Sequence, residues 1–449
     1  MSIADRLERL PFSSFHYRLL LLGGAGYCFD GLDGAILAFV MPALQHVWGL
    51  SMAQLGLLGS GAFFGYFIGA LTAGAVADRW GRRSVMMWAL ACYCVGSLIS
   101  ALCVSWHGFV LARVLSGIGT GAESAIIAPY LSEFVPRRYR GIFTGALAGF
   151  FSFGFVAASL LGYALVPGSE NGWRWAIGLT ACPVVMLLWW RRALPESPRW
   201  LLATGQGDTA HAVLSKIEKN IGVLSPSYEA ESVPSIKTSF AGQFVGLWRA
   251  QLWRAQLWRI TAMSWVLWLA VTFSYYAFFS WLPTLLIARG FTITHSFGFS
   301  IAICVAQIPG YFSAGFCNEY FGRKTTIVTY LGAAVISAAS MALVSSSTGI
   351  LIAGILLSFF MNGTFAGVYA YTPEIFPTAL RATGMGSASA IGRIGAIAAP
   401  LLIGALYPKA GFAGVFGMTA LILLFGALSI LVFGPSTVNL SLEEIESTY

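Results

Sequence analysis

The chain alternates long apolar runs with short polar breaks. Crossing a bilayer as a helix takes about 20 mostly apolar residues, at about 1.5 Å of rise each. Twelve runs satisfy this. Six lie near residues 18–44, 53–77, 85–104, 108–131, 141–166 and 173–191, and six near 259–288, 295–318, 325–346, 348–371, 383–406 and 411–434. A longer polar stretch, 195–258, separates the sixth run from the seventh, and a polar tail occupies 435–449. The pattern predicts an all-α membrane protein of twelve transmembrane helices. These divide into an N-terminal six-helix bundle (1–194), a connecting loop (195–258), a C-terminal six-helix bundle (259–434) and a tail (435–449).

Composition agrees. The 449 residues are 57% hydrophobic and 10% charged, with a mean hydropathy of +0.75. Soluble domains carry about 25% charged residues, so the solvent for much of this surface is lipid. The charged start, broken by Pro11, has no apolar core of a cleavable signal, so the first apolar run is expected to stay in the membrane.

A formal charge of +8 would suggest nucleic-acid binding in a soluble protein. Here the basic residues sit in short loops beside apolar runs, which is a topology signal, and no nucleic-acid partner is expected. Arg79, Arg82 and Arg83 follow the second run; Arg137, Arg138 and Arg140 follow the fourth; Arg191, Arg192 and Arg199 follow the sixth. Arg323 and Lys324 follow the eighth and Arg381 the tenth, whereas the alternate loops carry little charge. The basic loops and both termini are therefore expected on the cytoplasmic side of a bacterial inner membrane.

The repeated Leu-Trp-Arg unit ending the connecting loop (247–259) reads as an interfacial anchor. All seven cysteines fall in apolar runs without metal-ligand spacing, so neither a metal nor a cofactor is expected, and no catalytic motif indicates an enzyme.

Two motifs recur. Gly74 to Arg83 (GAVADRWGRR) matches Gly315 to Lys324 (GFCNEYFGRK). Tyr130-Leu-Ser-Glu133-Phe-Val-Pro136, with Arg140 and Gly145, matches Tyr371-Thr-Pro-Glu374-Ile-Phe-Pro377, with Arg381 and Gly386. The offsets 315 − 74 and 371 − 130 are both 241. Two separate motifs at one offset indicate a duplicated half, as in carriers with a midplane site between parallel repeats.

The Gly74–Arg83 stretch resembles the loop signature of the major facilitator superfamily. Pro195-Glu196-Ser197-Pro198-Arg199-Trp200 and the Glu133/Arg140 loop with its Glu374/Arg381 repeat are similar to the sugar-porter and organic-ion-transporter branch. The resemblance covers nearly the whole chain. It implies the twelve-helix fold of that superfamily and a cytoplasmic gating latch. The latch residues would be Asp78, Arg82, Arg83, Glu133, Arg140, Glu196 and Arg199 in the first half, and Glu319, Arg323, Glu374 and Arg381 in the second.

Charges inside the apolar runs are costly there and mark function. They are Asp30 and Asp33 in the first run, Arg113 and Glu123 in the fourth, and Arg393 in the eleventh. Asp30 and Asp33 share one helical face, so either can meet Arg113. Phe29-Asp30 resembles the aromatic-Asp of proton-coupled sugar porters, and Arg113 with Gly117, Gly119 and Gly121 resembles their Arg-x-x-x-Gly-x-Gly-x-Gly. The resemblance implies that Asp30, Asp33, Arg113 and Glu123 couple transport to protons.

Arg393, in AIGRIGAIAAP, stands where organic-ion carriers place the charge opposite to their substrate's, which implies a carboxylate ligand. Trp265, Trp268, Tyr275, Tyr276 and Tyr369 fall where such carriers line their cavity, and Gln307 and Asn362 are among the few polar groups of the second half. No Gln-Gln…Asn trio is present on the seventh run, which argues against a sugar. Among bacterial proteins the resemblance is to niacin carriers, with aromatic-acid permeases close behind. The expected activity is monomeric, proton-driven import of nicotinate and, second, nicotinamide. Alternatives are another aromatic acid, a sugar or sugar acid, a drug, or a non-transporting membrane sensor.

Overall fold

The computed structural model describes residues 3–222, 257–376 and 381–436, except the side chains of Ala4, Arg191, Arg381 and Ala382. The Leu-Trp-Arg repeat before Leu257 and the tail beyond Ser436 lie outside the described residues, as does the Arg381 side chain.

Eleven helices among the described residues are long and apolar enough to cross a membrane. After a short α1 (Ile3–Glu8), the first half contributes α2 (Ser14–Trp48), α3 (Met52–Trp80), α4 (Arg82–Leu102), α5 (Trp106–Ser132) and α6 (Arg137–Leu165). Its sixth span is irregular, α7 (Gly172–Leu179) and α8 (Met186–Ala193) being joined by a 3-10 turn at Cys182–Val185. Pro183 removes a backbone donor there, which breaks the α-ladder. Two short helices, α9 (Pro198–Ala203) and α10 (Gly207–Ile221), follow outside the spans.

The second half has α11 (Leu257–Ala288), then α12 (Ile293–Val305) and α13 (Gln307–Tyr320), one span kinked at Ala306. Pro309 explains the kink, because its ring conflicts with the carbonyl four residues back, that of Val305. Next come α14 (Arg323–Leu343), α15 (Ser347–Glu374) and α16 (Arg381–Phe433). This last stretch holds the eleventh and twelfth predicted spans, two helices that meet at a kink at Gly411, whose φ of +61° is not helical. No β-strand occurs among the described residues.

The 241-residue repeat is visible in the backbone. Left-handed glycines recur at Gly49 and Gly290 and at Gly81 and Gly322, all with φ between 60 and 98°. Ser105 caps α5 by accepting the Gly108 N–H, and Ser346 caps α15 by accepting that of Gly349. In-helix prolines recur at Pro42 and Pro283.

Contacts group the chain into two compact units that do not coincide with the sequence halves. The first holds Met1–Gly34, Phe64–Gly154 and the run from Ile177; the second holds Ala35–Phe63, Phe155–Ala176 and the second half. The reason is packing at the end of the helices away from the basic loops, where α2, α3 and α6 join the second unit. A Cβ on Gly56 of α3 would stand 2.6 Å from the Pro400 carbonyl oxygen, and one on Gly404 2.4 Å from that of Met52. Ser60 Oγ donates to the Ile397 carbonyl at 2.7 Å, and Phe39 meets Phe297 edge-on at 5.3 Å. Backbones this close leave no room between α3 and α16 at that end.

Candidate functional site

In the first unit the alternating glycines of α5 let three helices close up. A Cβ on Gly119 would meet Tyr93 N of α4 at 2.4 Å, and one on Gly121 would meet the Tyr66 carbonyl of α3 at 2.1 Å. Positions two apart point about 200° apart on a helix, so the two glycines serve opposite neighbours. On the α2 side, Gly31 and Gly154 bring α2 and α6 into backbone contact.

This close packing buries the charges. Arg113 and Asp33 are each 1% exposed and form a bidentate pair, with Nη1 to Oδ1 at 2.9 Å and Nη2 to Oδ2 at 2.8 Å. Nη2 also donates to the Asp33 backbone carbonyl at 3.0 Å. Three hydroxyls complete the carboxylate: Ser97 at 2.9 Å and Thr180 at 3.1 Å on Oδ1, and Ser116 at 2.9 Å on Oδ2.

Of the two aspartates that the spacing offered, Arg113 therefore meets Asp33 and not Asp30. Asp33 lies one turn farther along α2, at the level of Arg113. Asp30 (3% exposed) and Glu123 (0%) are equally deep, yet neither carboxyl has a hydrogen-bond partner among the described residues. Glu123 fills the space left by Gly26, where a Cβ would stand 2.6 Å from its Oε1.

At the basic end of the same unit the latch residues converge. Arg82 Nε donates to Glu133 Oε1 at 2.7 Å, and Arg82 pairs with Asp78 at 3.4 Å. Ser197 Oγ donates to Glu133 Oε2. Glu196 accepts the Arg83 backbone N–H at 3.2 Å, and Trp200 Nε1 donates to the Asp78 carbonyl at 2.9 Å. Arg140 does not join Glu133. It donates to the Ser132 and Val135 carbonyls and to Glu8 of α1 at 3.1 Å. Glu8 also accepts the Arg137 N–H at 2.6 Å and pairs with Arg199 at 3.4 Å. Partial burial works against its charge, but these three partners hold its carboxyl below the usual range.

Sequence reasoning missed this α1 strap. Arg6 is buried and donates to both Glu218 oxygens, at 2.9 and 2.6 Å, beside His211 and Ser215. The Leu7 and Leu10 side chains sink into the same core as Leu214 and Ile217. The apolar Ile3-x-x-x-Leu7-x-x-Leu10 spacing was the available signal.

The second unit repeats part of the latch. Arg323 pairs with Glu374 at 2.8 Å, the 241-offset counterpart of Arg82–Glu133. Lys324 Nζ donates to the Gly434 carbonyl at 2.6 Å, while Glu319 is exposed.

Deeper in this unit, α11, α13 and α15 assemble a polar–aromatic cluster. Tyr275 OH and Asn362 Nδ2 both donate to Gln307 Oε1, at 3.0 and 2.7 Å. Gln307 is fully buried, and its Nε2 has no partner among the described residues. The kink before Gln307 turns it into this position. Tyr275 packs on Phe279, Phe365 and Phe155, and Tyr276 on Phe63 at 4.3 Å.

Trp265 Nε1 donates to Ser387 at 3.1 Å, and Trp268 Nε1 to Thr372 at 2.9 Å. Tyr369, 42% exposed, stands edge-on to Trp268 at 5.0 Å. Arg393, partly buried, sits on α16 between Gly392 and Gly395, which pack on Trp268, Leu269 and Phe273 of α11. Among the described residues no group of His, Cys, Asp and Glu is arranged to hold a metal.

Comparison with known proteins gives the frame for this geometry. A family model described as "Sugar (and other) transporter" matches residues 26–449. The chain is 35% identical over 446 residues to the niacin transporter NiaP of Acinetobacter baylyi, covering 99% of this chain and 100% of that protein. It is also 35% identical to the putative niacin/nicotinamide transporter NiaP of Bacillus subtilis, over 95% of this chain and 98% of the relative. Among solved structures, the inward-open xylose transporter XylE from E. coli superposes with a TM-score of 0.76. That comparison has 19% identity and covers 97% of this chain and 100% of the other, so it speaks to the fold alone.

Proposed function

The chain belongs to the sugar (and other) transporter family of the major facilitator superfamily, and from that premise we propose that it imports a small aromatic carboxylate, nicotinate first and nicotinamide second, by proton-coupled alternating access. The protein is a multi-pass membrane transporter and not an enzyme. In our reading the basic end is cytoplasmic with both termini, and the packed α3–α16 end faces outward.

The observation that carries the substrate class is the buried cluster of the second unit. Gln307 has its oxygen engaged by two donors, which leaves its Nε2 as a desolvated donor awaiting an acceptor. A buried donor without a partner costs about 1–3 kcal/mol, which a ligand oxygen or ring nitrogen restores. Aromatic faces from Tyr275, Tyr276, Trp265, Trp268 and Tyr369 suit a flat ring, and Arg393 supplies the charge for its carboxylate. The near full-length similarity to niacin carriers supports the same class. The reading treats the chain as two repeat halves, 1–194 and 259–434, working as a monomer.

Calorimetric titration of purified protein with nicotinate and nicotinamide tests this. Wild type should bind both. Truncating one member of a buried charge pair costs roughly 2–5 kcal/mol. At about 1.4 kcal/mol per tenfold, Arg393→Ala should weaken nicotinate more than tenfold and nicotinamide less. No binding of either ligand by wild type would remove the niacin reading, and equal losses would make Arg393 structural.

A further inference from the structure

Tyr130 and Tyr371 open the two Tyr-x-x-Glu stretches, 241 residues apart, at the basic ends of α5 and α15. Both are fully buried. The Tyr130 hydroxyl donates to the Pro195 carbonyl, and the Tyr371 hydroxyl donates to the Pro435 carbonyl at 2.8 Å. Each proline stands two residues beyond the last span of its half, α8 ending at Ala193 and α16 at Phe433. In both halves, therefore, the foot of one membrane helix holds the main chain as it leaves another.

The surrounding contacts recur as well. Tyr130 and Glu133 are three apart, so they share a helical face. Tyr130 holds Pro195 while Glu133 accepts from Ser197, a two-point grip on one short segment. Between them Glu196 accepts the Arg83 backbone N–H at 3.2 Å. The counterpart of Arg83, Lys324, donates through Nζ to the Gly434 carbonyl at 2.6 Å, next to Pro435. A Cβ on Gly434 would stand 2.9 Å from the Tyr371 hydroxyl, so a side chain there would crowd the contact.

Filling space does not require either hydroxyl. Phenylalanine has the same ring, whereas a buried tyrosine hydroxyl needs a hydrogen-bond partner. Joining the halves does not require both. The chain runs from Pro195 into α9 and α10 and on to the second half, but Pro435 comes after all twelve predicted spans. What the two cases share is the bond between the fourth span of a half and the exit of its sixth.

Resting on the alternating-access reading above, we propose that Tyr130 and Tyr371 are positioning residues of the transport cycle. Each hydroxyl pins the exit of its half's last span to the helix that carries the latch glutamate, so the two move as one plate when the basic end opens and closes. The plate presents Glu133 to Arg82 in one half and Glu374 to Arg323 in the other. Asn362 lies on α15 nine residues before Tyr371, about 14 Å along the helix, so the tether does not reach a ligand at the amide cluster. It acts on the rate and balance of access and leaves affinity alone. Breaking it loosens the latch, which favours the state open at the basic end and slows the return from it.

Tyr130→Phe and Tyr371→Phe in the full-length protein test the assignment, since each keeps the ring and removes one hydroxyl. Hydrogen exchange should quicken about two- to tenfold, as the net worth of one hydrogen bond sets, at 194–200 in Tyr130→Phe and at 433–436 in Tyr371→Phe. Labelling of a single cysteine introduced near Ser60, at the opposite end of the helices, should slow by a similar factor without ligand. A loosening confined to the basic end would not move that reporter. In proteoliposomes the maximal rate of nicotinate exchange should fall in step, with affinity held within about twofold.

Unchanged hydrogen exchange at both exits would overturn the proposal. Faster exchange there, with labelling near Ser60 and turnover as in wild type, would also overturn it and make the hydroxyls structural. Failure of both single variants to fold has the same meaning, and if one folds, it decides. No nicotinate transport by wild type removes the substrate reading instead, and the ligand-free labelling near Ser60 still judges the tether.

Discussion

Removing either member of the Asp33–Arg113 pair should have unequal cost, and the inequality follows from the hydrogen bonds. Breaking a buried pair by deleting one partner costs roughly 3–5 kcal/mol, because the survivor is a desolvated charge. In Arg113→Ala the surviving Asp33 keeps three hydroxyl donors, from Ser97, Ser116 and Thr180. It can also take up a proton. In Asp33→Ala the surviving guanidinium retains one bond, to the backbone carbonyl of residue 33, and it cannot neutralise itself. The three hydroxyls lose their acceptor too, at about 1–3 kcal/mol for each buried donor left unsatisfied. Asp33→Ala should therefore lie at the upper end of the range or above it, and Arg113→Ala at the lower end. The double variant should cost less than the sum of the two by about 1–3 kcal/mol, since neither charge is then stranded. Reversible unfolding in mixed micelles measures all four corners of this cycle. Additive losses, or Arg113→Ala as the worse variant, would refute this account of the pair.

Three further outcomes follow from other parts of the molecule. Gly121→Ala should cost at least about 1–3 kcal/mol, as overpacking does, because its methyl would meet the Tyr66 carbonyl; a thermal melt equal to wild type would show that α3 yields at no cost. Glu8 has a lowered folded-state value, so its contribution is present at neutral pH and is lost as pH falls through that folded value, below the ordinary carboxylate range. Hydrogen exchange of α1 should rise over that acid window and already be raised at pH 7 in Glu8→Gln; no difference between Glu8→Gln and wild type would detach Glu8 from the strap. Glu133→Gln and Glu374→Gln should each raise the reactivity of single cysteines introduced near Asp78 and Glu319, as a weakened latch opens the basic end, and unchanged labelling in both would count against gating.

Much of the architecture was legible in the chain. Apolar length alone marks the spans, and the 241-residue offset puts Arg323 and Glu374 where Arg82 and Glu133 stand, although the pairing itself is seen only in the structure. What sequence could not decide was contact between side chains on different helices. Asp30 and Asp33 are equally good partners for Arg113 by spacing. The choice was made by the depth at which α5 crosses α2, which depends on the Gly31–Phe151 approach and on glycines facing α3 and α4. Arg140 was similarly ambiguous. It shares its loop with Glu133, but α1 brings Glu8 within reach, and α1 is too short and too charged to register as an element beforehand.

The same offset explains how labour is divided in the bundle. At the basic end, both halves keep the ion pair and the left-handed glycine, because each half needs the same turn between its second and third spans. Inside the membrane the repeat does not extend to the charged residues or to the amides of the cluster. The positions 241 beyond Asp30, Asp33, Arg113 and Glu123 are Val271, Ser274, Gly354 and Thr364. The positions 241 before Gln307, Asn362 and Arg393 are Tyr66, Gly121 and Ser152. No intramembrane charge has a charged counterpart. A buried charge costs several kcal/mol wherever it is placed, so a duplicated chain gains by keeping each once. The arrangement puts the acids on the first half and the amide–aromatic cluster on the second. If, as proposed, the acids take the proton and the cluster takes the substrate, each ligand is held by a different half, and their coupling is a free energy that each exerts on the binding of the other.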